Sequence, residues 1–155
     1  MVQKILVAMD DSENAMRAVR FVARSLPRDN EITLFNVVLD TATLCGLDSP
    51  ELSPLFKTEQ SQFCTLEAKK REMVTRMLQQ AKEALVVAGF SADRIRIKLQ
   101  EKNKGVARDI IKESEGYDLL VLGRHGKTAV KDFLLGSTSQ KVFSGVREIP
   151  VLIVN

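Results

Sequence analysis

Apolar residues in this chain alternate between two patterns. Short continuous runs are separated by stretches in which apolar positions recur every three or four residues. Lys4–Met9 is the first run and predicts a buried strand. Ala15, Val19, Val22 and Leu26 then recur at helical spacing, with Asp11 or Ser12 available as the cap and Pro27-Arg28-Asp29-Asn30 as the stop. Ile32–Val38 predicts a second buried strand. A long helix follows from about Glu59 to Ala88, stopped by Gly89, with Phe63, Leu66, Met73, Met77, Ala81, Leu85 and Ala88 as its buried stripe. Arg94–Leu99 alternates apolar and charged residues, which suits a strand near a sheet edge. Val106, Ala107, Ile110 and Ile111 mark a short helix, and Leu119–Leu122 the next strand. Gly136 to about Gly145 gives the last helix and Pro150–Val154 a closing strand.

The order is β-α-β-α-β-α-β-α-β. Such alternation predicts an α/β fold: a five-stranded parallel sheet in a single domain, residues 1–155, with helices on both faces. The segment from Asp40 to about Phe56 interrupts the pattern. It carries Gly46, Pro50 and Pro54 among Ser, Thr and Asp residues, and reads as an irregular insertion. In parallel sheets ligands bind beyond the carboxyl ends of the strands, where strand order reverses. The first strand ends at Met9-Asp10 and the fourth at Gly123, so a shared crevice follows if those two strands are neighbours.

Composition narrows the function classes. At 155 residues, 45% hydrophobic and 28% charged, the chain has the make-up of an ordinary globular domain. A net charge of +3, with no Trp and one Tyr, argues against a nucleic-acid partner. No apolar run approaches the roughly 20 residues of a membrane span, and no signal peptide is visible, so a cytoplasmic protein is expected. Cys45 and Cys64 fit no metal or redox spacing, and two free thiols are the expectation.

The segment with the most chemistry is Gly123-Arg124-His125-Gly126, nine further residues, then Gly136-Ser137-Thr138-Ser139. Glycines just past a strand let the backbone turn tightly and approach a ligand. A Gly-Ser-Thr-Ser run opening a helix offers backbone N–H groups and hydroxyls to an anion, most often a phosphate. It is not a Walker loop. Gly126-Lys127-Thr128 resembles the end of one, but the first glycine would fall at Val121. Nor is it a dinucleotide fingerprint.

The spacing Gly-x2-Gly-x9-Gly-Ser/Thr after a fourth strand resembles that of the universal stress protein family, in its ATP-binding branch. The likeness spans the chain: the opening Lys4–Ser12, Phe133-Leu134-Leu135-Gly136-Ser137 leading into the last helix, and the closing Pro150–Val154. It implies a Rossmann-like fold of the adenine nucleotide alpha hydrolase kind and a regulatory, stress-response role in which ATP modulates conformation or pairing. Ala8 and Met9 would line the adenine pocket, and Val37 would pack on the adenine face. Asp10 would accept hydrogen bonds from the ribose or the adenine edge. Leu122 and Gly123 would approach ribose and phosphates, and His125 and Gly126 would border the phosphate chain. Gly136, Ser137, Thr138 and Ser139 would hold phosphates, with Mg²⁺ or Mn²⁺ carried on them. Asn36 stands where the family often has His. The family also implies a homodimer through Val151–Val154, an apolar strand suited to edge pairing.

Simpler roles compete at several positions. Asp10 and Asp11 can serve as helix caps, and Ser137 can cap its helix and bind phosphate in turn. Arg124 can lean on the phosphates or point outward, and Lys127 and Lys131 suit solvated surface. No carboxylate pair or Ser-His-Asp arrangement suggests an enzyme, beyond slow ATP hydrolysis or self-phosphorylation on Ser137 or Thr138. Two other classes remain. One is a phosphorylation-dependent receiver domain built on Asp10-Asp11, with Asp48 the nearest phospho-acceptor candidate. The other is a dimeric interaction protein independent of nucleotide.

Overall fold

The computed structural model describes residues 1–10, 12–124 and 135–155. Five strands form one all-parallel sheet in the order β3-β2-β1-β4-β5. They are β1 (Lys4–Ala8), β2 (Glu31–Val38), β3 (Ile95–Glu101), β4 (Leu119–Gly123) and β5 (Val151–Val154). Five α-helices alternate with them: α1 (Glu13–Ser25), α2 (Ala42–Cys45), α3 (Pro54–Val87), α4 (Val106–Glu113) and α5 (Ser137–Gly145). The central strands carry the continuous apolar runs because both their faces are covered; Ile5, Leu6, Val7, Leu120 and Val121 are fully buried. β3 lies at the sheet edge, as its alternating pattern predicts.

Period-two alternation divides the core into two layers. On one face Ile5, Val7, Ile32, Leu34 and Val121 pack against Val19 and Val22 of α1 and Leu78, Ala81 and Leu85 of α3. On the other, Leu6, Phe35, Leu120 and Leu122 pack against Ile110 of α4 and Val142 of α5. α1 starts where the Ser12 hydroxyl accepts the Ala15 amide at 3.2 Å. It ends at Leu26, whose amide bonds back to Val22 and whose successor Pro27 disfavours further helix.

α3 is the unusual element. It starts earlier than the periodicity indicates, at Pro54 behind the cap Ser53, so it begins inside the stretch expected to be irregular. Ahead of it α2 forms a single short turn of helix. α3 ends in a Schellman motif: the amides of Gly89 and Phe90 bond to Val86 and Leu85, and Gly89 takes a φ of 107°. Its 34 residues span about 51 Å, more than the sheet can cover. Only the C-terminal part meets the core. Ala81 and Leu85 are buried as the stripe predicts, Met77 and Ala88 pack at its margin, and Phe63 is half-buried. Leu66 and Met73, expected in the core, are 57% and 47% exposed, while Leu78, outside the expected stripe, is fully buried. The periodicity reports one apolar face. It does not report where the sheet stops.

The expectation of free thiols is corrected. Cys45 and Cys64 form a disulfide, with Cα atoms 5.9 Å apart. The chain after β2 folds back along α3, which brings together two residues with no recognisable spacing. Gln60 reinforces the link by donating from Nε2 to the carbonyls of Leu44 and Leu47 at 2.5 and 2.9 Å.

The division of α3 predicts two different outcomes. Leu85→Ala should lose about 2–5 kcal/mol of stability, whereas Leu55→Ala, in the exposed first turn, should change it by less than about 0.5 kcal/mol. Urea denaturation of the two variants checks this, and equal losses would contradict the docking described for α3.

Candidate functional site

β1 and β4 are hydrogen-bonded neighbours, with Ile5 opposite Leu119 and Ala8 opposite Leu122. The chain proceeds from β1 to β2 and β3 on one side of this pair, and from β4 to β5 on the other. The strand order therefore reverses between β1 and β4, and their carboxyl ends frame one rim. Among the described candidates, Ala8, Asp10, Val37, Leu122, Gly123 and the first turn of α5 all belong to strand ends or turns at this rim.

The alternation of side chains sorts these residues. Ala8 and Leu122 belong to the α4/α5 layer, and Val37 packs against it. Met9 does not join them. Its side chain is buried in the α1/α3 layer. Its amide donates to the Phe35 carbonyl at 2.7 Å, and its own carbonyl accepts the Nδ2 of Asn36. Asn36, buried in β2, thereby ties the ends of β1 and β2 together, and its Oδ1 has no partner among the described residues. Asn36 thus has a structural role.

Asp10 serves the α1 entry: its Oδ1 accepts the Ser12 amide at 2.8 Å. A carboxylate offers about four acceptor sites, so this bond leaves capacity for a ligand. Ser12 provides the side-chain cap of α1. Asp11 lies outside the described residues.

Gly123 is required for packing. A Cβ there would lie 2.9 Å from the backbone carbon and oxygen of Asn14, so any side chain would drive β4 away from the first turn of α1. The glycine segment is also fastened at both its ends. The Gly136 amide donates to the Arg124 carbonyl at 2.9 Å, and the Ser139 hydroxyl donates to the Gly123 carbonyl at 2.8 Å. The start of α5 is thus held directly against the end of β4. Ser139 is buried and its proton is engaged, whereas Ser137 and Thr138 are exposed on the opening turn. The first amides of a helix have no intrahelical acceptor, and the macrodipole adds positive potential there. Arg124 points toward the C-terminus: its amide bonds to the Val154 carbonyl at 2.9 Å and its guanidinium to the Asn155 side chain at 3.3 Å. His125, Gly126, Lys127 and Lys131 lie outside the described residues.

A further rim residue escaped the sequence reading. Asp109, in the first turn of α4, is buried and accepts the amides of Asn103 and Lys104 at 2.8 and 3.1 Å. It fixes the turn that follows β3. An acidic residue four positions after a glycine was the available signal, but the same spacing is common on solvated helix faces. Among the described residues no three His, Cys, Asp or Glu side chains cluster to hold a metal. A groove along α3, bordered by Cys45, Gln60, Cys64 and Lys69, includes none of the rim residues.

The amides of Asn103 and then Lys104 hold the Asp109 carboxyl below its usual range. A lowered folded-state value means that the ionised form stabilises the fold above the unfolded-state pKa of about 3.9. That contribution is lost as the pH falls through the lower folded value. Asp109→Asn should therefore reduce Tm at neutral pH and flatten its decline below about pH 4. Thermal melts across this range check it, and an unchanged acid limb would remove Asp109 from the account.

Comparison with known proteins adds to this geometry. The model of the universal stress protein family matches residues 1–155. The universal stress protein MJ0577 of Methanocaldococcus jannaschii is 30% identical, the alignment covering 99% of this chain and 95% of that protein. The solved structure of MJ0577 superposes with a TM-score of 0.65 over 99% of this chain and 96% of its own, at 29% identity. UspA from Lactobacillus plantarum superposes at 0.69 over 99% and 97% of the two chains, with 20% identity. A universal stress protein solved in complex with cAMP superposes at 0.63 over 99% and 97%, with 18% identity. The last two likenesses are of fold.

Proposed function

This chain belongs to the universal stress protein family, and from that premise we propose that it is an ATP-binding regulatory protein whose nucleotide sits at the β1/β4 rim. The observation that carries the reading is the fastening of α5 to β4. Gly136 and Ser139 bond to the carbonyls of Arg124 and Gly123, so the opening turn of α5 is held in place before any ligand arrives. Phosphates would meet the backbone amides of that turn and the hydroxyls of Ser137 and Thr138. Ser139 would contribute its amide, since its hydroxyl is already committed. Ala8, Val37 and Leu122 supply an apolar floor on one face of the sheet for adenine, and Asp10 an acceptor for the ribose or the adenine edge. Met9 would contribute backbone alone. His125 and Gly126 would border the phosphate chain, as the resemblance implies.

Asp10 is the one carboxylate among the candidate residues, so Mg²⁺ or Mn²⁺ would take most of its oxygens from phosphate and water, which suits a hard, hydrated ion. The same fold accommodates an adenine nucleotide in the relative solved with cAMP. The receiver alternative is weaker: β3 ends at Glu101, whereas Asp48 lies between α2 and α3, away from any strand end.

Calorimetry with Mg–ATP tests the site. Gly136 has φ −55° and ψ 152°, a backbone conformation open to any residue. Gly136→Val should therefore fold and lose ATP binding, because its side chain would stand where phosphate approaches. Unchanged affinity would overturn the site. The mass of any nucleotide released on denaturing the purified protein identifies the ligand, and following ATP over time reads hydrolysis or self-phosphorylation.

We propose in addition a cytoplasmic setting and a homodimer paired through Val151–Val154. β5 lies at the sheet edge, and its apolar residues are all partly exposed. Sedimentation velocity at micromolar concentration should show species of two or more chains. A chain that stays monomeric would overturn the pairing.

A further inference from the structure

The N-terminal half of α3 extends beyond the core with an apolar seam that is only partly covered. Phe56, Phe63, Lys70 and Met77 recur every seven residues, and Glu59, Leu66 and Met73 interleave with them at steps of three and four. That is the a/d pattern of a helix that pairs with another helix. Leu66 and Met73 are 57% and 47% exposed, Phe56 and Phe63 are half-buried, and Glu59 is exposed. The tether to α2 uses Gln60 and Cys64, neither of which is a seam position, and Leu66, Lys70 and Met73 remain exposed beside it.

The order of residues along the seam identifies its partner. Place a two-fold axis between Cys64 and Thr65 and run a second copy of α3 antiparallel to the first. Phe63 then falls opposite Leu66 of the second copy, Phe56 opposite Met73, and Glu59 opposite Lys70. By symmetry each pairing occurs twice. Every apolar seam residue from Phe56 to Met73 meets an apolar residue, and the two seam charges meet their opposites. A parallel, in-register pairing would instead set Lys70 against Lys70 and Glu59 against Glu59. A single polar layer in an apolar seam is a known way of fixing register and orientation, and a surface complementary to itself is what a two-fold contact requires. Within the chain, Lys70 has only a 3.4 Å contact to Glu67 as a rival, and more than half of its side chain is exposed.

We propose that α3 is a second self-association surface, at which two copies of this chain pair antiparallel over residues 56–73 about an axis between Cys64 and Thr65. The seam is about 27 Å long. It is separate from the terminal strand and requires no nucleotide.

A zero-length carbodiimide crosslinker tests it on the native protein. Glu59 and Lys70 are 11 residues apart on one helix, about 16 Å, too far for a direct amide bond within a chain. A crosslinked peptide joining them must come from two chains. It should appear at micromolar concentration and grow with concentration. Glu59→Lys should weaken the association by roughly tenfold or more, because it creates two like-charge contacts per pair. Adding Lys70→Glu to that variant should restore both association and crosslink, now between Lys at 59 and Glu at 70. Leu66→Asp, at an exposed position, should keep the far-ultraviolet dichroism and lose the crosslink. Absence of the Glu59–Lys70 crosslink where sedimentation shows dimers, a purely monomeric chain, or a double charge swap no better than the single one would each overturn the proposal.

Discussion

The hydrogen-bonded pairing of β1 with β4 is the contact on which the rest of the rim depends. These strands lie far apart in sequence, yet their register sets Ala8 beside Leu122. Two neighbours without other reason to meet follow from it: the entry to α1 at Asp10–Ser12, and the glycine segment leaving β4. α1 lies close against the end of β4 because Gly123 has no side chain. The α1 backbone at Asn14 occupies the space a Cβ would take. Once β4 is held there, its last carbonyls face the start of α5, and Gly136 and Ser139 close on them. Strand pairing, glycine packing and helix docking are successive consequences of one adjacency.

Among the glycines and hydroxyls of the rim, Gly123 and Ser139 hold the fold together. Read as chemistry alone, Gly123 and Ser139 serve a ligand. In the fold both serve the scaffold, one by admitting α1 and the other by bonding β4 to α5. That role is compatible with the proposed ligand role. An anion site made of backbone amides works only if the backbone is fixed beforehand, and these residues supply that fixing. Asp10 shows the same economy, since it orders the Ser12 amide while retaining acceptor capacity.

Much of this was legible in the sequence because it rests on local patterns. Continuous apolar runs marked the buried strands, and alternation marked β3 as an edge. What escaped depends on tertiary placement. Met9 looks like a pocket residue until the pleat turns its side chain to the opposite layer. Cys45 and Cys64 look like free thiols until the chain doubles back along α3. Asp109 resembles any acidic helix residue until the turn after β3 presents two amides to it. His125, Lys127 and Lys131 fall outside the described residues.

The same limit explains α3. A helical period in the sequence reports that one face avoids water, without naming what covers it. From Val74 onward the covering surface is the sheet and α1, and the buried residues follow that geometry. Before it, the apolar positions shift around the helix to a seven-residue repeat, whose period of 3.5 suits another helix. One helix therefore carries two apolar faces that merge near Met77. Helix propensity is continuous across the junction, so the boundary is invisible locally and appears only in which side chains lose their exposure. Leu66 and Met73 are better understood as positions that follow a second pattern than as core residues that failed to reach the core.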